Sequence, residues 1–265
     1  MKTKLEAYLH ENLPHYLELL RTWVDINSFT TNPVGVNKVA DLTAKVFSNL
    51  GFIEERVPAD NPDFGNHLVL SKKGKSNQKI GLISHLDTVF PPDEEIANNF
   101  HWRVEEDRIY GPGTNDIKGG TLMIYMLLDA LKHFAPQEFE AVNWIFLANA
   151  AEETLSPAFG VLCRERLQNG IGALVFEAGF HHKETFRLVT TRKGMATYRV
   201  SVEGKSAHAG SNHPLGANAI VQLARTVDQI AALTNYDNEL TFNIGVIEGG
   251  VVTNRVPNLV EARGE

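Results

Sequence analysis

Apolar residues repeat along this chain with two different spacings, and the alternation between them predicts the fold. From Leu5 to Val24 they recur every three or four positions, which is typical of an amphipathic helix or of two helices that meet near Pro14. The same spacing predicts helices over 36–50, 121–134, 157–169 and 218–233. Short, nearly continuous apolar runs predict buried strands over 67–70, 79–84, 142–147 and 173–176. Helices that alternate with buried strands predict an α/β fold with a mostly parallel sheet.

The pattern changes from about residue 187. Alternating apolar and polar positions predict half-exposed strands near 188–191, 195–202, 241–247 and 256–262. With the helix at 218–233, most of this region follows a β-α-β-β order, the beginning of a two-layer α+β unit. We therefore expect two domains, 1–187 and a smaller 188–265, and we expect the second to be incomplete at its C-terminus.

Composition excludes several classes of protein. The formal net charge of -7 argues against nucleic acid or an anionic membrane as the main partner. No run approaches the roughly 18 apolar residues of a membrane span, and no apolar signal segment follows the N-terminus. The single cysteine, Cys163, excludes both an intrachain disulfide and a cysteine-based zinc site. We expect a cytoplasmic protein in which any metal ligands are histidines and carboxylates.

Candidate chemistry begins at the end of the strand predicted over 79–84. His85 and Asp87 are two residues apart, so an extended backbone points both side chains the same way. A neutral imidazole can bind a metal through one nitrogen while a carboxylate accepts the proton of the other. Taken alone, this pattern is more often an ordinary surface hydrogen bond, and the metal hypothesis depends on the other acidic residues.

Acidic residues follow the other predicted strands. Glu152 and Glu153 come after the strand at 142–147, Glu177 follows the strand at 173–176, and Asp116 lies in a glycine-rich loop. Each is by itself more often a solvated turn residue, but ligands of open α/β sheets bind at this edge. Acids crowded there would repel one another unless cations lay among them. Imidazole and carboxylate ligands favour zinc, with cobalt or manganese as alternatives, and we predict two divalent ions.

Two phosphate-binding alternatives fail on spacing. The loop at 111–120 would need a third glycine where Asp116 stands, and a carboxylate there would repel a phosphate. The segment Gly204-Lys205-Ser206 would need a glycine where Arg199 stands. Neither segment is therefore interpreted as a nucleotide site.

Six segments of the chain resemble, in family order, the two-zinc metallopeptidases that include glutamate carboxypeptidase, acetylornithine deacetylase and succinyl-diaminopimelate desuccinylase. They are Ser84–Val89, Tyr110–Gly120, Glu152-Glu153, Phe176–Gly179, Gly204–Gly210 and Gly249–Pro257. The glutamate carboxypeptidase branch is the most similar, through 87–89 and 100–110. The resemblance implies a zinc-peptidase-like catalytic domain over 1–187 and a lid or dimerisation domain over 188–265.

The resemblance also implies a role for each residue of the metal site, by matching position. His85 and Glu177 would hold one zinc, Glu153 would hold the other, and Asp116 would bridge the two. Asp87 would orient His85 from behind. All five residues lie in the first predicted domain.

Three further roles are implied in the same way. Glu152 would be the general base that takes a proton from the attacking water and passes it to the leaving amine. His208 would stabilise the oxyanion, and Asn254 would contact the substrate. The implied activity is cleavage of an amide bond next to a free carboxylate, in a small peptide or an N-acyl amino acid, by a homodimer formed through the lid domain.

The chain departs from the family at its C-terminal end. A histidine that completes the second zinc site, and a substrate-binding arginine, are expected after Glu265. The chain is therefore expected to be an N-terminal portion of a longer enzyme, or a truncated product that holds its second metal weakly. Two alternatives stay open: a non-catalytic binding or dimerisation module, and a single-metal hydrolase that needs only His85, Asp116 and Glu177.

Overall fold

The computed structural model describes residues 2–154, 156–182 and 185–265, and the chain divides into two compact units after Leu188. The helices of the first unit are α1 (Lys2–Val24), α2 (Pro33–Ser48), α3 (Pro92–Ala97), α4 (Lys118–Phe134), α5 (Pro136–Ala141) and α6 (Pro157–Leu167). Its strands are β1 (Ile53–Pro58), β2 (Asn66–Lys72), β3 (Lys79–His85), β4 (Arg103–Glu105), β5 (Arg108–Tyr110), β6 (Asn143–Asn149), β7 (Gly172–Val175), β8 (Phe180–His182) and β9 (Thr185–Arg187).

A five-stranded mixed sheet organises the first unit, in the order β1-β2-β6-β3-β7. Strand β2 is antiparallel to both of its neighbours, whereas β3 is parallel to both β6 and β7. Four of the five strands consequently run in the same direction, and the α/β fold class is confirmed with a mixed sheet. In the parallel part, His85 lies opposite Asn149 and Ile83 opposite Val175, so the carboxyl ends of three strands meet at one edge.

Helices cover both faces of this sheet. Leu68 and Leu70 of β2 point into a core shared with α1, α2 and α4, whereas Val69 between them packs with Phe159 and Leu162 of α6 on the opposite face. Because neighbouring residues of one strand are buried on opposite sides, the strands are apolar almost without interruption. This explains the continuous apolar runs of the sequence.

Two local expectations were wrong, and one open alternative is decided. Strand β7 was predicted to be buried, but Leu174 and Val175 are 45% and 58% exposed, because within the described residues β7 is an edge strand paired only with β3. No strand forms over 188–191, where the backbone has no regular structure. Of the two interpretations of the N-terminal pattern, the single helix is found, since α1 continues through Pro14.

The second unit contains α7 (Ala219–Ala231) and the strands β10 (Tyr198–Glu203), β11 (Ile244–Gly249) and β12 (Leu259–Gly264). The strands form an antiparallel sheet in the order β10-β12-β11. Ala219 and Leu223 of α7 pack on Val260 and Ala262 of β12. The α+β order expected from the sequence is therefore present. Among the described helices of both units, none has the length and apolar character needed to cross a membrane.

A partly buried hydrogen-bond cluster joins α1 to α4, the helix that begins two residues after Asp116. The hydroxyl of Tyr16 donates to Oδ2 of Asp129 at 2.6 Å, and the hydroxyl of Tyr8 donates to the same oxygen at 2.8 Å. Tyr16 is 1% exposed, so its hydroxyl would be left without water if Asp129 were lost as an acceptor. The cluster therefore fixes the position of α4 against α1.

We predict that Tyr16→Phe lowers the free energy of unfolding of the first unit by about 2 kcal/mol, because the carboxylate loses a charged hydrogen bond in a buried place. Tyr8→Phe, at a more exposed position, serves as the matched variant and should cost about half as much. Urea unfolding followed by tryptophan fluorescence measures this, since Trp23, Trp102 and Trp144 all lie in the first unit. Equal stability of Tyr16→Phe and the unchanged protein would contradict the role of the cluster.

Candidate metal centre

The sheet edge and one glycine-rich loop bring the candidate ligands together. Strand β3 ends at His85, and the next amide, that of Leu86, donates to the carbonyl of Asn149 at the end of β6 at 2.8 Å. Two positions need glycine, one in the glycine-rich loop and one in the first turn of α4. Gly113 has a φ of +78°, and a side chain at Gly119 would lie 2.1 Å from the carbonyl oxygen of Thr114. This loop carries Asp116, whose peptide bond to Ile117 is cis.

Three of the predicted ligands form one cluster. His85, Asp116 and Glu153 each offer an atom such that all three atoms lie within 4.8 Å of one another. Nε2 of His85 lies 2.9 Å from Oδ1 of Asp116 and 3.7 Å from Oε1 of Glu177, so the fourth predicted ligand faces the same nitrogen. The His85 side chain is 1% exposed and that of Asp116 is 58% exposed. The cluster thus has a buried histidine on one side and a solvent-facing carboxylate on the other.

Asp87 holds this arrangement from behind. Nδ1 of His85 lies 3.0 Å from the backbone oxygen of Asp87 and 3.3 Å from its carboxylate, which leaves Nε2 for the cluster. The carboxylate also accepts hydrogen bonds from the Thr30 hydroxyl at 2.7 Å and from the backbone amides of Glu152 and Glu153 at 3.1 and 3.3 Å. One buried carboxylate therefore positions both the imidazole and the backbone of the acidic pair.

The pKa values respond to this crowding. Burial disfavours a charged His85, but the hydrogen bond and charge of Asp87, together with the charge of Glu177, outweigh it and raise the pKa of His85 to about 9. Burial and the nearby charge of Asp116 raise the pKa of Glu153 to about 7. In the metal-free cluster, His85 and a part of the Glu153 population therefore retain their protons at neutral pH. These protons lie where a cation would bind.

The donor set fits a divalent cation. It consists of one imidazole nitrogen and several carboxylate oxygens without a thiolate, since Cys163 lies half-buried in α6. The partly exposed Asp116 provides a route from solvent, and the Asp87 contact leaves Nε2 of His85 directed at the acids. The residues present can accordingly hold a metal ion.

The two predicted residues of the second unit lie near each other there. Nδ1 of His208 accepts hydrogen bonds from the amides of Gly210 and Ser211, both at 3.1 Å, and the carbonyl of Asn254 accepts one from Ala209 at 2.9 Å. The predicted roles of His208 in oxyanion stabilisation and of Asn254 in substrate contact remain predictions.

The sequence analysis missed Thr30, which is 1% exposed and donates to Asp87. Thr30 lies 57 residues before its partner, after the end of α1, and no local pattern marks it. Its neighbour Phe29 forms an isolated parallel bridge with Thr88, and this bridge aligns the two segments. Only the folded chain reveals the contact.

Comparison with known proteins shows which proteins this chain is similar to. Residues 190–265 match the M20 peptidase dimerisation domain. The chain is 30% identical over 244 residues to carboxypeptidase G2 of a Pseudomonas species and 25% identical over 265 residues to acetylornithine deacetylase of Klebsiella pneumoniae. These matches include 92% and 94% of this chain, which spans 57% and 66% of the two relatives.

Solved structures show the same fold. An aminopeptidase of Bacillus cereus superposes with a TM-score of 0.67 at 22% identity, over 94% of this chain and 65% of that one. An M20 family metallo-carboxypeptidase of Sulfolobus solfataricus superposes with a TM-score of 0.59 at 17% identity, over 94% of this chain and 70% of that one. The chain is therefore similar to M20 peptidases, in residues 190–265 to their dimerisation domain and over most of its length to the fold of these structures.

We predict that Thr30→Val weakens metal binding about tenfold or more, because valine keeps the shape of threonine but leaves the Asp87 carboxylate without one of its donors. Thr43→Val is the matched control. Thr43 is also fully buried, and its hydroxyl donates to the carbonyl of Val39 within α2. Calorimetric titration with Zn²⁺ should separate the two variants, and equal affinity in both would refute a role for the Thr30 contact.

Metal affinity should also depend on pH. His85 and Glu153, with pKa values of about 9 and about 7, must lose their protons before they bind a cation. Affinity should therefore rise from pH 6 to pH 9, by up to about tenfold per unit for each proton released. Titration at pH 6.5 in two buffers of different ionisation enthalpy counts the released protons. An affinity constant across this range would contradict the assignment.

Proposed function

We propose that this chain is a zinc-dependent hydrolase that cleaves an amide bond next to a free carboxylate in a small peptide or an N-acyl amino acid. The observation that carries the proposal is the cluster of His85, Asp116 and Glu153, with Asp87 behind it, at the carboxyl edge of the sheet. Similarity to a peptidase dimerisation domain and to a carboxypeptidase supports the same chemistry.

The proposed cofactor is a pair of Zn²⁺ ions. His85 and Glu177 would hold one ion, Glu153 would hold the other, and Asp116 would bridge them. In support, one nitrogen of His85 faces both Asp116 and Glu177, and Glu153 offers an oxygen within 4.8 Å of ligand atoms of His85 and Asp116. When bound, such ions polarise a substrate carbonyl and lower the pKa of a water molecule.

Glu152 is the proposed general base. It neighbours Glu153 in a short 3-10 helix, and its backbone amide is held by Asp87. Glu152 is exposed to solvent, and its charge contributes to raising the pKa of both His85 and Glu153, which supports a position of its carboxylate close to the cluster. From there it takes a proton from the attacking water and delivers it to the leaving amine.

The proposed substrate follows from the named relatives. The relatives include a carboxypeptidase at 30% identity and acetylornithine deacetylases near 25%, and both kinds of name describe hydrolysis of an amide bond. An amide next to a free carboxylate is the substrate feature that we carry over from this pair. Because the carboxypeptidase is the more similar of the two, acyl-glutamates and dipeptides are the first substrates to test.

A second candidate function is a non-catalytic dimerisation module. The match of residues 190–265 to a dimerisation domain favours it, and under this alternative the metal cluster of the first unit would be catalytically inactive. Under either candidate, we propose that the second unit forms a homodimer. A cytoplasmic location, and the exclusion of nucleic acid and membrane as partners, stay predictions from the sequence.

Glu152→Gln tests the proposed function. We expect hydrolysis of acyl-glutamates or dipeptides to fall at least a thousandfold, within the range of a positioned general base combined with electrostatic effects of its charge, because the amide cannot accept the proton. Zinc content should remain that of the unchanged protein, since Glu152 is not among the proposed ligands.

Glu165→Gln is the matched control, an exposed glutamate on α6 that carries the same change of charge. Rate and zinc content are measured together on all three proteins. Loss of zinc in Glu152→Gln would overturn its assignment as the base. A zinc-loaded, dimeric protein that hydrolyses none of these substrates would favour the dimerisation module.

A further inference from the structure

The four consecutive backbone amides of residues 150–153, which include the acidic pair Glu152 and Glu153, each donate a hydrogen bond to a side chain. The amide of Ala150 donates to Nδ1 of His67 at 3.1 Å, and that of Ala151 donates to Oδ1 of Asn149 at 3.0 Å. The amides of Glu152 and Glu153 donate to the carboxylate of Asp87. Pairing between β2 and β6 ends at Leu68 and Ala148, so these amides lie beyond the ladder and depend on side-chain acceptors.

His67 is the member of this set that comes from outside the site. It lies on β2, 83 residues from Ala150, and it is 1% exposed. Because an amide donates to Nδ1, the imidazole is neutral and its proton is on Nε2. Burial lowers the pKa of His67, in agreement with a neutral ring.

The other nitrogen of His67 is the informative one. Nε2 is buried and has no hydrogen-bond partner among the described residues, and the ring packs against Phe159 at 5.2 Å between centroids. A buried N–H without a partner is unfavourable, and such groups are rare in folded proteins. Phenylalanine would pack against Phe159 without this cost. What phenylalanine cannot supply is the acceptor for the amide of Ala150.

We propose that His67 is a positioning residue for the metal centre, whose Nδ1 holds the amide of Ala150 and thereby sets the backbone that presents Glu152 and Glu153. The effect of His67 on the metal centre rests on the proposed function, since Glu153 is a proposed ligand and Glu152 the proposed base. Its physical basis, the hydrogen bond to Ala150, is independent of any metal.

Two variants separate the acceptor from the ring. His67→Phe keeps an aromatic ring against Phe159 and removes the acceptor. His67→Asn removes the ring and places Oδ1 the same number of bonds from Cα as Nδ1, which restores the acceptor. If His67 acted only by packing, His67→Phe would be the milder change and His67→Asn the more damaging one.

The experiment has a readout that needs no metal. In the metal-free protein, hydrogen exchange at the amide of Ala150 should accelerate at least tenfold in His67→Phe and stay near that of the unchanged protein in His67→Asn. Exchange at Leu70, inside the β2–β6 ladder, serves as the internal reference. Zinc affinity should fall about 10- to 100-fold in His67→Phe and within about threefold in His67→Asn.

Unchanged exchange and zinc affinity in His67→Phe would overturn the proposal, as would equal losses in both variants. Nitrogen NMR of the unchanged protein adds a test without substitution: Nδ1 of His67 should be the unprotonated nitrogen, and a proton on Nδ1 would also overturn it. If the unchanged protein binds no zinc, the proposed function fails, while the exchange rates and the ring tautomer still decide the role of His67.

Discussion

The buried carboxylate of Asp87 is the contact on which the candidate site depends. It faces Nδ1 of His85, accepts the hydroxyl of Thr30, and accepts the amides of Glu152 and Glu153. A buried carboxylate is costly unless its oxygens are satisfied, and here four donors surround it. These contacts outweigh the effect of burial and lower the pKa of Asp87, which keeps the carboxylate charged. That charge in turn directs the imidazole towards the acids of the cluster.

The fold supplies the geometry for this contact. Parallel pairing of β3 with β6 and β7 places the ends of three strands at one edge, and helices pack on both faces of the sheet. His85 is the last residue of β3, and Glu152 and Glu153 follow β6, whereas Asp116 lies in a glycine-rich loop that leads into α4. These residues are distant in sequence, and they meet at the carboxyl edge because the order of the strands in the sheet determines the distances between them.

Much of this arrangement could be predicted from the sequence, and the exceptions have physical causes. Buried strands with acids at their ends produce a strong local pattern, so β3, β6 and the residues of the cluster were recognisable. Strand β1 was not predicted because its charged residues at 54–56 interrupt the alternation of apolar and polar positions. Strand β7 was predicted to be buried because the sequence of an apolar edge strand does not differ from that of a buried strand. Thr30 and His67 act across 57 and 83 residues, and no local pattern reports such contacts.

The central claim is that the cluster around His85 and Asp116 binds a divalent cation. Elemental analysis of the 265-residue protein, after loosely bound metal is removed, tests it most directly when His85→Ala is measured beside it. The account predicts at least one tightly held Zn²⁺ per chain in the unchanged protein and none in His85→Ala. An unchanged protein without zinc, or a variant that retains it in full, would contradict the account.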